Sequence, residues 1–217
     1  MKIRISIVDD HNLYRKGVIQ IFEQHEEFEI VNEFKDGVHY VNYLENDNTD
    51  NIDIVLLDYH MPVMDGVDVC KWIKINKHNV KVIIVSQYDN SLVIQKFAEN
   101  GASGYLLKSA SVEELGDAIR EVYHNGFYFN EFLANETVVE LVQNKKINPI
   151  FKETIKLTQR EREVAELICA QLSYKEIANK LGISKRTVES HKNHILEKIG
   201  ATKVTGIVVY AAKKGWV

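Results

Sequence analysis

The chain has 217 residues, which at ~150 residues per domain makes one large domain or two small ones. Hydrophobic residues make up 45% and charged residues 27%, a composition typical of folded globular proteins that excludes global disorder. The uncharged apolar runs fall far short of the ~20 residues that cross a bilayer, and two cysteines are too few for a secreted disulfide scaffold or a zinc cluster. We therefore expect a cytoplasmic protein with no membrane partner.

Charge is divided unevenly between the two parts of the chain. Residues 1–150 contain 14 Lys and Arg against 24 Asp and Glu, a net charge of −10. Residues 151–217 contain 13 against 7, a net charge of +6. This division indicates two domains with different partners, and the basic part favours a polyanion such as nucleic acid. Charge asymmetry is also common in proteins that bind no nucleic acid, so on its own it decides nothing.

The first 125 residues alternate five short β-branched runs with five amphipathic patterns. Strands are predicted over 3–8, 29–34, 53–58, 81–86 and 103–108, and helices near 12–25, 37–47, 65–77, 90–100 and 111–124. Five consecutive strand–helix units predict an α/β domain with a five-stranded parallel sheet. The third and fourth runs are apolar throughout, as expected for strands that helices cover on both faces.

The pattern changes after residue 125. Residues 126–150, which include one of only two prolines and a helical pattern over 130–144, are predicted to form a linker. Residues 151–217 predict four short helices and hence a small all-α domain. Two capping-box pairs, a stop glycine and a further cap mark its helix boundaries: Thr158 with Glu161, Ser173 with Glu176, Gly182 and Ser184.

Polar side chains stand at the ends of four predicted strands. Asp9 and Asp10 follow the first strand, Asp58 ends the third, and Ser86 and Lys108 end the fourth and fifth. In a parallel sheet these ends meet at one edge, where α/β proteins bind ligands. Three clustered carboxylates repel one another unless a cation lies among them, and oxygen ligands favour Mg²⁺. A carboxylate beside Mg²⁺ can attack a phosphoryl group, although any single Asp here is explained as simply by helix capping.

Four ordered motifs in this part of the chain resemble a known family. VDDH at 8–11, LLDYHMPVMDG at 56–66, IVSQY at 84–88 and GASGYLLK at 101–108 resemble the receiver domain of two-component response regulators. The resemblance covers about 1–125. It implies a doubly wound, flavodoxin-like fold in which Asp58 is the phosphoacceptor.

The same resemblance implies roles for the residues around Asp58. It assigns Mg²⁺ binding to Asp9, Asp10, Asp58 and the backbone carbonyl of His60, and phosphate contacts to Ser86, Lys108 and Tyr105, which turns inward on activation. Many receivers have a proline after a cis peptide bond where Ser109 stands here, so the conformation of that bond is left open. Position 60 also lacks the second Asp that a haloacid-dehalogenase-type phosphatase requires.

Residues 173–198 have the pattern of a helix–turn–helix with Gly182 in the turn. In the second helix, Val188, His191, Ile195 and Ile199 are predicted to face inward. The outward face predicts DNA contacts by Ser184, Lys185, Arg186, Thr187, Glu189, Ser190, Lys192 and Asn193. Lys and Arg can neutralise phosphates, while Asn and Arg can bind base edges in the major groove. The alternative is an ordinary solvated face.

The basic module also resembles a known family. LTQRE at 157–161, KEIANKLGIS at 175–184 and TVESHKNHILEKI at 187–199 resemble the LuxR-type helix–turn–helix of response regulators of the NarL/FixJ class. Proteins of this class commonly pair through their last helix, which corresponds to about 202–213. The resemblance therefore implies a dimer seam formed by Val204, Ile207, Val208 and Ala211.

Together these observations predict a transcription regulator rather than an enzyme. We expect a sensor histidine kinase to supply the phosphoryl group to Asp58, double-stranded DNA to be the target, and phosphorylation to produce a homodimer. Two alternatives stay open. One is a phosphatase that turns over through an aspartyl phosphate. The other is a regulator that binds DNA without phosphorylation and uses its first domain only to dimerise.

Overall fold

The structure is a computed structural model that describes residues 2–46, 51–76, 78–129, 139–140, 142–144, 149 and 155–217. Across these ranges the chain forms an α/β domain followed by a helical domain. None of the helices they contain has both the length and the hydropathy that a membrane span requires.

The N-terminal domain is a parallel sheet with helices on both faces. Its elements are β1 (Ile3–Val8), α1 (Asn12–Phe22), β2 (Phe28–Phe34), α2 (Gly37–Glu45), β3 (Ile54–Asp58), α3 (Gly66–Ile75), β4 (Lys81–Ser86), α4 (Ser91–Glu99), β5 (Gly104–Leu107), α5 (Val112–Asn125) and β6 (Tyr128–Phe129). The strand order is β2-β1-β3-β4-β5-β6, and every neighbouring pair is parallel. The predicted fold class is confirmed, with one strand more than the five expected.

Two hydrophobic clusters fill the space between the sheet and its helices. On one face, Phe22 of α1 and Ile119 of α5 share a cluster with Ile5 of β1. On the other face, Phe97 of α4 shares a cluster with Leu57 of β3. Because β3 is covered on both sides, all of its residues are buried, which explains its uniformly apolar run before Asp58.

The sixth strand falls in the segment predicted to be a linker. The Tyr128 N–H donates to the Ser103 carbonyl at 2.7 Å, and Tyr128 pairs with Gly104. A Cβ on Gly104 would lie 3.0 Å from the Tyr128 carbonyl oxygen, so this position favours glycine. Residues 139–140 and 142–143 are helical, whereas most of the predicted linker and of its helix over 130–144 lies outside the described residues.

The C-terminal domain contains the four predicted helices. They are α6 (Gln159–Cys169), α7 (Tyr174–Leu181), α8 (Lys185–Ile199) and α9 (Val204–Lys213). Both capping boxes form, Gly182 ends α7 with a φ of 63°, and the Ser184 hydroxyl accepts the Thr187 N–H at the start of α8. Val164, Ile177 and Val188 belong to one buried cluster that holds the helices together.

Candidate functional site

Four strands bring polar side chains to one edge of the sheet. Asp9 and Asp10 lie directly after β1, Asp58 and Ser86 are the last residues of β3 and β4, and Lys108 follows β5. Since β1, β3, β4 and β5 are successive parallel neighbours, their carboxyl ends lie side by side. This is the edge at which open α/β sheets bind ligands.

The ammonium group of Lys108 bridges two buried carboxylates. Its Nζ lies 2.7 Å from Asp58 Oδ2 and 2.8 Å from Asp9 Oδ2. Asp9 is 2% exposed and Asp58 is 5% exposed, whereas Asp10 lies on the open side of the cluster. The same Nζ lies 5.0 Å from the centre of the Tyr14 ring, where a cation–π contact helps to hold it. One ammonium group thus pairs with two of the three carboxylates in the cluster.

The cluster has the donor atoms and the charge that a divalent cation requires. One ligand atom each from Asp9, Asp10, His11 and Asp58 can be chosen so that all lie within 4.8 Å of one another. Burial raises the pKa of Asp58, the nearby charge of Asp9 raises it further, and the hydrogen bond from Lys108 opposes both. Carboxylate oxygens with this excess of negative charge suit a hard cation, so the residues present fit Mg²⁺.

His11 belongs to this cluster, although its sequence motif predicted no role for it. Its Nδ1 lies 2.9 Å from Asp10 Oδ1, 3.3 Å from Asp9 Oδ1 and 3.5 Å from Asp58 Oδ2. The sequence feature that could have predicted this position is a histidine directly after two aspartates at a strand end. The motif alone gives no reason for a histidine there.

The loop between β3 and α3 depends on a close approach of two backbone segments. A Cβ on Gly66 would lie 2.4 Å from the Asp58 carbonyl oxygen, so a larger residue would displace the backbone of Asp58 itself. The Gly66 N–H also donates to the Tyr59 carbonyl at 2.8 Å. In the same loop Val63 has a φ of 71°, which β-branched residues avoid. The ring of His60 stacks on that of Tyr59, with centroids 4.1 Å apart.

Ser86 and Tyr105 are linked through Tyr88. Ser86 is 1% exposed, and its hydroxyl accepts the Tyr88 N–H at 3.2 Å. The buried Tyr105 hydroxyl donates to the Tyr88 carbonyl at 2.6 Å, so its ring has the inward position that the resemblance associates with activation. Burial raises the pKa of Tyr105, which keeps this hydroxyl a donor. No peptide bond within the described ranges is cis, the Lys108–Ser109 bond included.

The outward face of α8 is largely open to solvent. Ser184, Lys185, Arg186, Ser190 and Asn193 are exposed, and Thr187, Glu189 and Lys192 are half-buried. Lys185 Nζ lies 3.5 Å from Glu189 Oε1, so a neighbouring cation offsets the acid on this basic face. On the opposite side Val188, Ile195 and Ile199 are buried as predicted, whereas His191 is only half-buried.

The side chains predicted to form a dimer seam are covered within the chain itself. Ile207, Val208 and Ala211 have no exposed surface, and Val204 is half-buried. Ile207 packs in the core of the C-terminal domain, while Val208 belongs to the hydrophobic cluster that contains Phe129 of the N-terminal domain. Pairing through this helix therefore requires α9 to leave its present contacts.

Hydrogen bonds join α5 to the segment between α8 and α9. The Thr202 N–H donates to Glu121 Oε1 at 2.6 Å, and the Asn125 amide donates to the Gly200 carbonyl. Glu121 is 6% exposed, and burial raises its pKa to about 7. This contact was not predicted from the sequence. The sequence feature that could have predicted it is that the Glu121 carboxylate and the Asn125 amide lie on the same face of α5 as the buried Ala118.

Comparison with known proteins agrees with this architecture. Residues 5–120 match the family model of the response regulator receiver domain, and residues 156–211 match that of the bacterial regulatory proteins of the LuxR family. The chain is 32% identical over 230 residues to the transcriptional regulatory protein DegU of Brevibacillus brevis, with 100% of this chain and 95% of that protein covered. It is 34% identical over 216 residues to the oxygen regulatory protein NreC of Staphylococcus aureus (strain bovine RF122 / ET3-1), with 98% of each covered.

A solved structure supports the same relationship. The crystal structure of a DNA-binding response regulator of the LuxR family from Staphylococcus aureus matches with a TM-score of 0.52 at 31% identity, covering 56% of this chain and 99% of that one. Both family models and the full-length relatives therefore lead to one conclusion. The chain belongs to the two-component response regulators of the NarL/FixJ class, with a receiver domain followed by a LuxR-type DNA-binding domain.

Proposed function

We propose that Asp58 accepts a phosphoryl group from a sensor histidine kinase, and that this modification controls dimerisation and DNA binding. The observation that carries the proposal is the buried Asp58 carboxylate, which is paired with Lys108 inside a cluster of acidic side chains at the sheet edge. A carboxylate held in this way is poised as a nucleophile, because neighbouring cations stabilise the charge of an incoming phosphoryl group.

In the transfer, one carboxylate oxygen of Asp58 forms a bond to phosphorus while the bond from phosphorus to the histidine nitrogen of the kinase breaks. Asp9, Asp10, Asp58 and the backbone carbonyl of His60 would hold Mg²⁺, which when bound offsets the negative charge of the phosphoryl oxygens. Lys108 supplies a second positive charge, and the Ser86 hydroxyl supplies a hydrogen-bond donor.

The phosphoryl group adds about two negative charges at a place where one ammonium already serves two carboxylates. Its oxygens compete with the Asp9 carboxylate for the Lys108 ammonium group and accept a hydrogen bond from the Ser86 hydroxyl. Because Ser86 and Tyr105 both bond to the backbone of Tyr88, a change at the phosphate reaches the segment after β4. Through these two hydrogen bonds to Tyr88, phosphorylation shifts the equilibrium between two conformations of the receiver.

The output of that equilibrium is a homodimer on double-stranded DNA. Release of α9 from its present contacts would free Val204, Ile207, Val208 and Ala211 for a seam with a second copy, and two recognition helices would then lie ~34 Å apart. The DNA contacts would come from Ser184, Lys185, Arg186, Thr187, Glu189, Ser190, Lys192 and Asn193. Since its target is chromosomal DNA, the protein would act in the cytoplasm.

The test compares the parent chain with Asp58→Asn and with Asp65→Asn. Asp65 is a matched control, because it lies in the same loop but caps α3, and Asn preserves a cap. After incubation with acetyl phosphate and Mg²⁺, we expect the parent and the Asp65 variant to gain the mass of one phosphoryl group and the Asp58 variant to gain none. Gel-shift binding to genomic fragments, measured across salt concentrations, should strengthen only in the two labelled proteins.

The outcomes separate this function from its alternatives. Normal labelling and activation of the Asp58 variant would refute it. Release of many phosphates per chain from a general phosphate ester would instead indicate a phosphatase. Equal DNA affinity with and without the phosphodonor would indicate a regulator that does not use phosphorylation.

A further inference from the structure

His11 is held against the acidic cluster by its own backbone. It is the last residue before α1, and its N–H donates to Asp9 Oδ1 at 2.8 Å. Its carbonyl accepts the Arg15 N–H at 3.0 Å. These bonds fix the Cα of His11 beside Asp9, so the imidazole reaches the cluster without a long flexible side chain.

The imidazole nitrogen faces all three carboxylates of the cluster. Nδ1 lies within 3.5 Å of an oxygen from each of Asp9, Asp10 and Asp58, and it lies 3.3 Å from Lys108 Nζ. At the N-cap position of α1 the His11 side chain makes no capping hydrogen bond in the described structure, so helix capping does not account for its direction. The ring is 56% exposed on its outer side, which leaves room for water on a bound ion.

A nitrogen ligand changes which cations a carboxylate cluster prefers. Carboxylate, carbonyl and water oxygens suit both Mg²⁺ and Mn²⁺, whereas an imidazole nitrogen is a ligand of first-row transition ions, to which Mn²⁺ belongs, and not a preferred ligand of Mg²⁺. Magnesium also releases its waters reluctantly, so it gains little from a fourth side chain. A cluster of three carboxylates and one imidazole is thus better matched to a transition ion than the carboxylates alone.

We propose that His11 supplies an imidazole nitrogen to the cation site at Asp9, Asp10 and Asp58, and that it makes the site select Mn²⁺ over Mg²⁺. The inference rests on the proposed function, because it concerns the same cation. His11 then adds a preference for Mn²⁺ to a site that also holds the Mg²⁺ of the proposed function, while the carboxylates set the charge of the site.

The test uses the full chain with Mn²⁺ and Mg²⁺ as probes. His11→Phe keeps a ring and removes the nitrogen, and His11→Asn is a second variant in case the larger apolar ring disturbs folding. His39→Phe is the matched control, because His39 is similarly exposed and pairs with the single carboxylate of Asp36. Thermal unfolding of each variant checks that it is folded.

Electron spin-echo measurements on bound Mn²⁺ should show modulation by an imidazole nitrogen in the parent chain and in the His39 variant. Both His11 variants should lack it. Competition titrations should show that loss of His11 weakens Mn²⁺ binding by about tenfold or more, the scale on which single changes around a metal alter its affinity, and leaves Mg²⁺ affinity nearly unchanged.

The failures of the two proposals are distinguishable. Bound Mn²⁺ without nitrogen modulation in the parent chain overturns the role of His11, even if acetyl phosphate still labels Asp58 with Mg²⁺. An equal loss of Mn²⁺ and Mg²⁺ affinity in the His11 variants overturns the selectivity. A parent chain that binds neither ion and cannot be labelled overturns the proposed function together with this inference.

Discussion

Replacing Lys108 by Ala should leave two buried carboxylates without a counter-ion. Ligand oxygens of Asp9 and Asp58 lie within 4.8 Å of each other, and two unit charges at that separation repel by roughly 3 kcal/mol at an effective dielectric constant of about 20. The ammonium at 2.7 and 2.8 Å now offsets this repulsion. Removing one member of a buried ion pair typically costs ~3–5 kcal/mol. We therefore expect Lys108→Ala to lower the free energy of unfolding by about 3 kcal/mol without a divalent cation.

The assay is urea unfolding at neutral pH in a chelator, followed by Trp72 fluorescence in a Trp216→Phe background so that only the receiver is observed. Lys16→Ala is the control, since Lys16 is 56% exposed and its ion pair with Glu33 is worth at most ~1 kcal/mol. Added Mg²⁺ should restore ~2.7 kcal/mol at a hundredfold excess over its Kd, because it binds only the folded site. If the Lys108 variant unfolds within 1 kcal/mol of its parent in chelator, the electrostatic account of the cluster is wrong.

Three further predictions concern other parts of the chain. Val63→Gly should raise the free energy of unfolding by about 1 kcal/mol in thermal unfolding. The left-handed backbone of Val63 costs ~1–2 kcal/mol, and the larger conformational entropy of glycine in the unfolded chain offsets only part of the gain from relieving that strain. A lower Tm would contradict this. The pKa of Glu121 is raised from 4.5 to about 7, so its contribution to stability is complete below 4.5 and is lost as the pH rises through 7. Glu121→Gln should remove that part of the pH dependence of unfolding, and an undiminished dependence would exclude this role. The double variant of His60→Ala and Tyr88→Ala should shorten the lifetime of the aspartyl phosphate about tenfold, equal to ~1.4 kcal/mol of barrier, because the two rings lie 5.1 Å apart, each two positions after Asp58 or Ser86, where we expect their bulk to hinder an attacking water. An unchanged rate of dephosphorylation would show that these rings play no part.

The fold was predictable where a long sequence pattern indicates which residues are buried. The apolar runs of β3 and β4 indicated strands covered on both faces, and the capping boxes marked where α6 and α7 begin. The sixth strand was not predictable in this way, since Tyr128 and Phe129 are too few to show alternation. They pair with β5 because Gly104 lets the two backbones approach, which is a property of tertiary packing.

Residues at strand ends were easier to place than residues that act between elements. Topology alone brings Asp9, Asp58 and Lys108 to one edge. The direction of the His11 imidazole depends on a side-chain rotamer, and the contact of Glu121 with Thr202 depends on how two domains pack. Neither the rotamer nor the packing of the two domains can be predicted from a local sequence pattern. The predicted dimer seam shows the same limit, because an amphipathic helix does not reveal which of two partners covers it.

The burial of α9 between two hydrophobic clusters has a consequence for engineered chimaeras. Ile207 and Tyr210 contribute to the helical core, while Val208 and Ala212 contribute to the cluster that contains Phe129. A graft that replaced the whole output domain, α9 included, with that of a relative would set foreign side chains against this receiver and leave mismatched apolar side chains exposed to water, and such patches promote aggregation. Successful exchange of output modules must therefore keep the receiver-facing positions of the last helix together with the receiver that covers them.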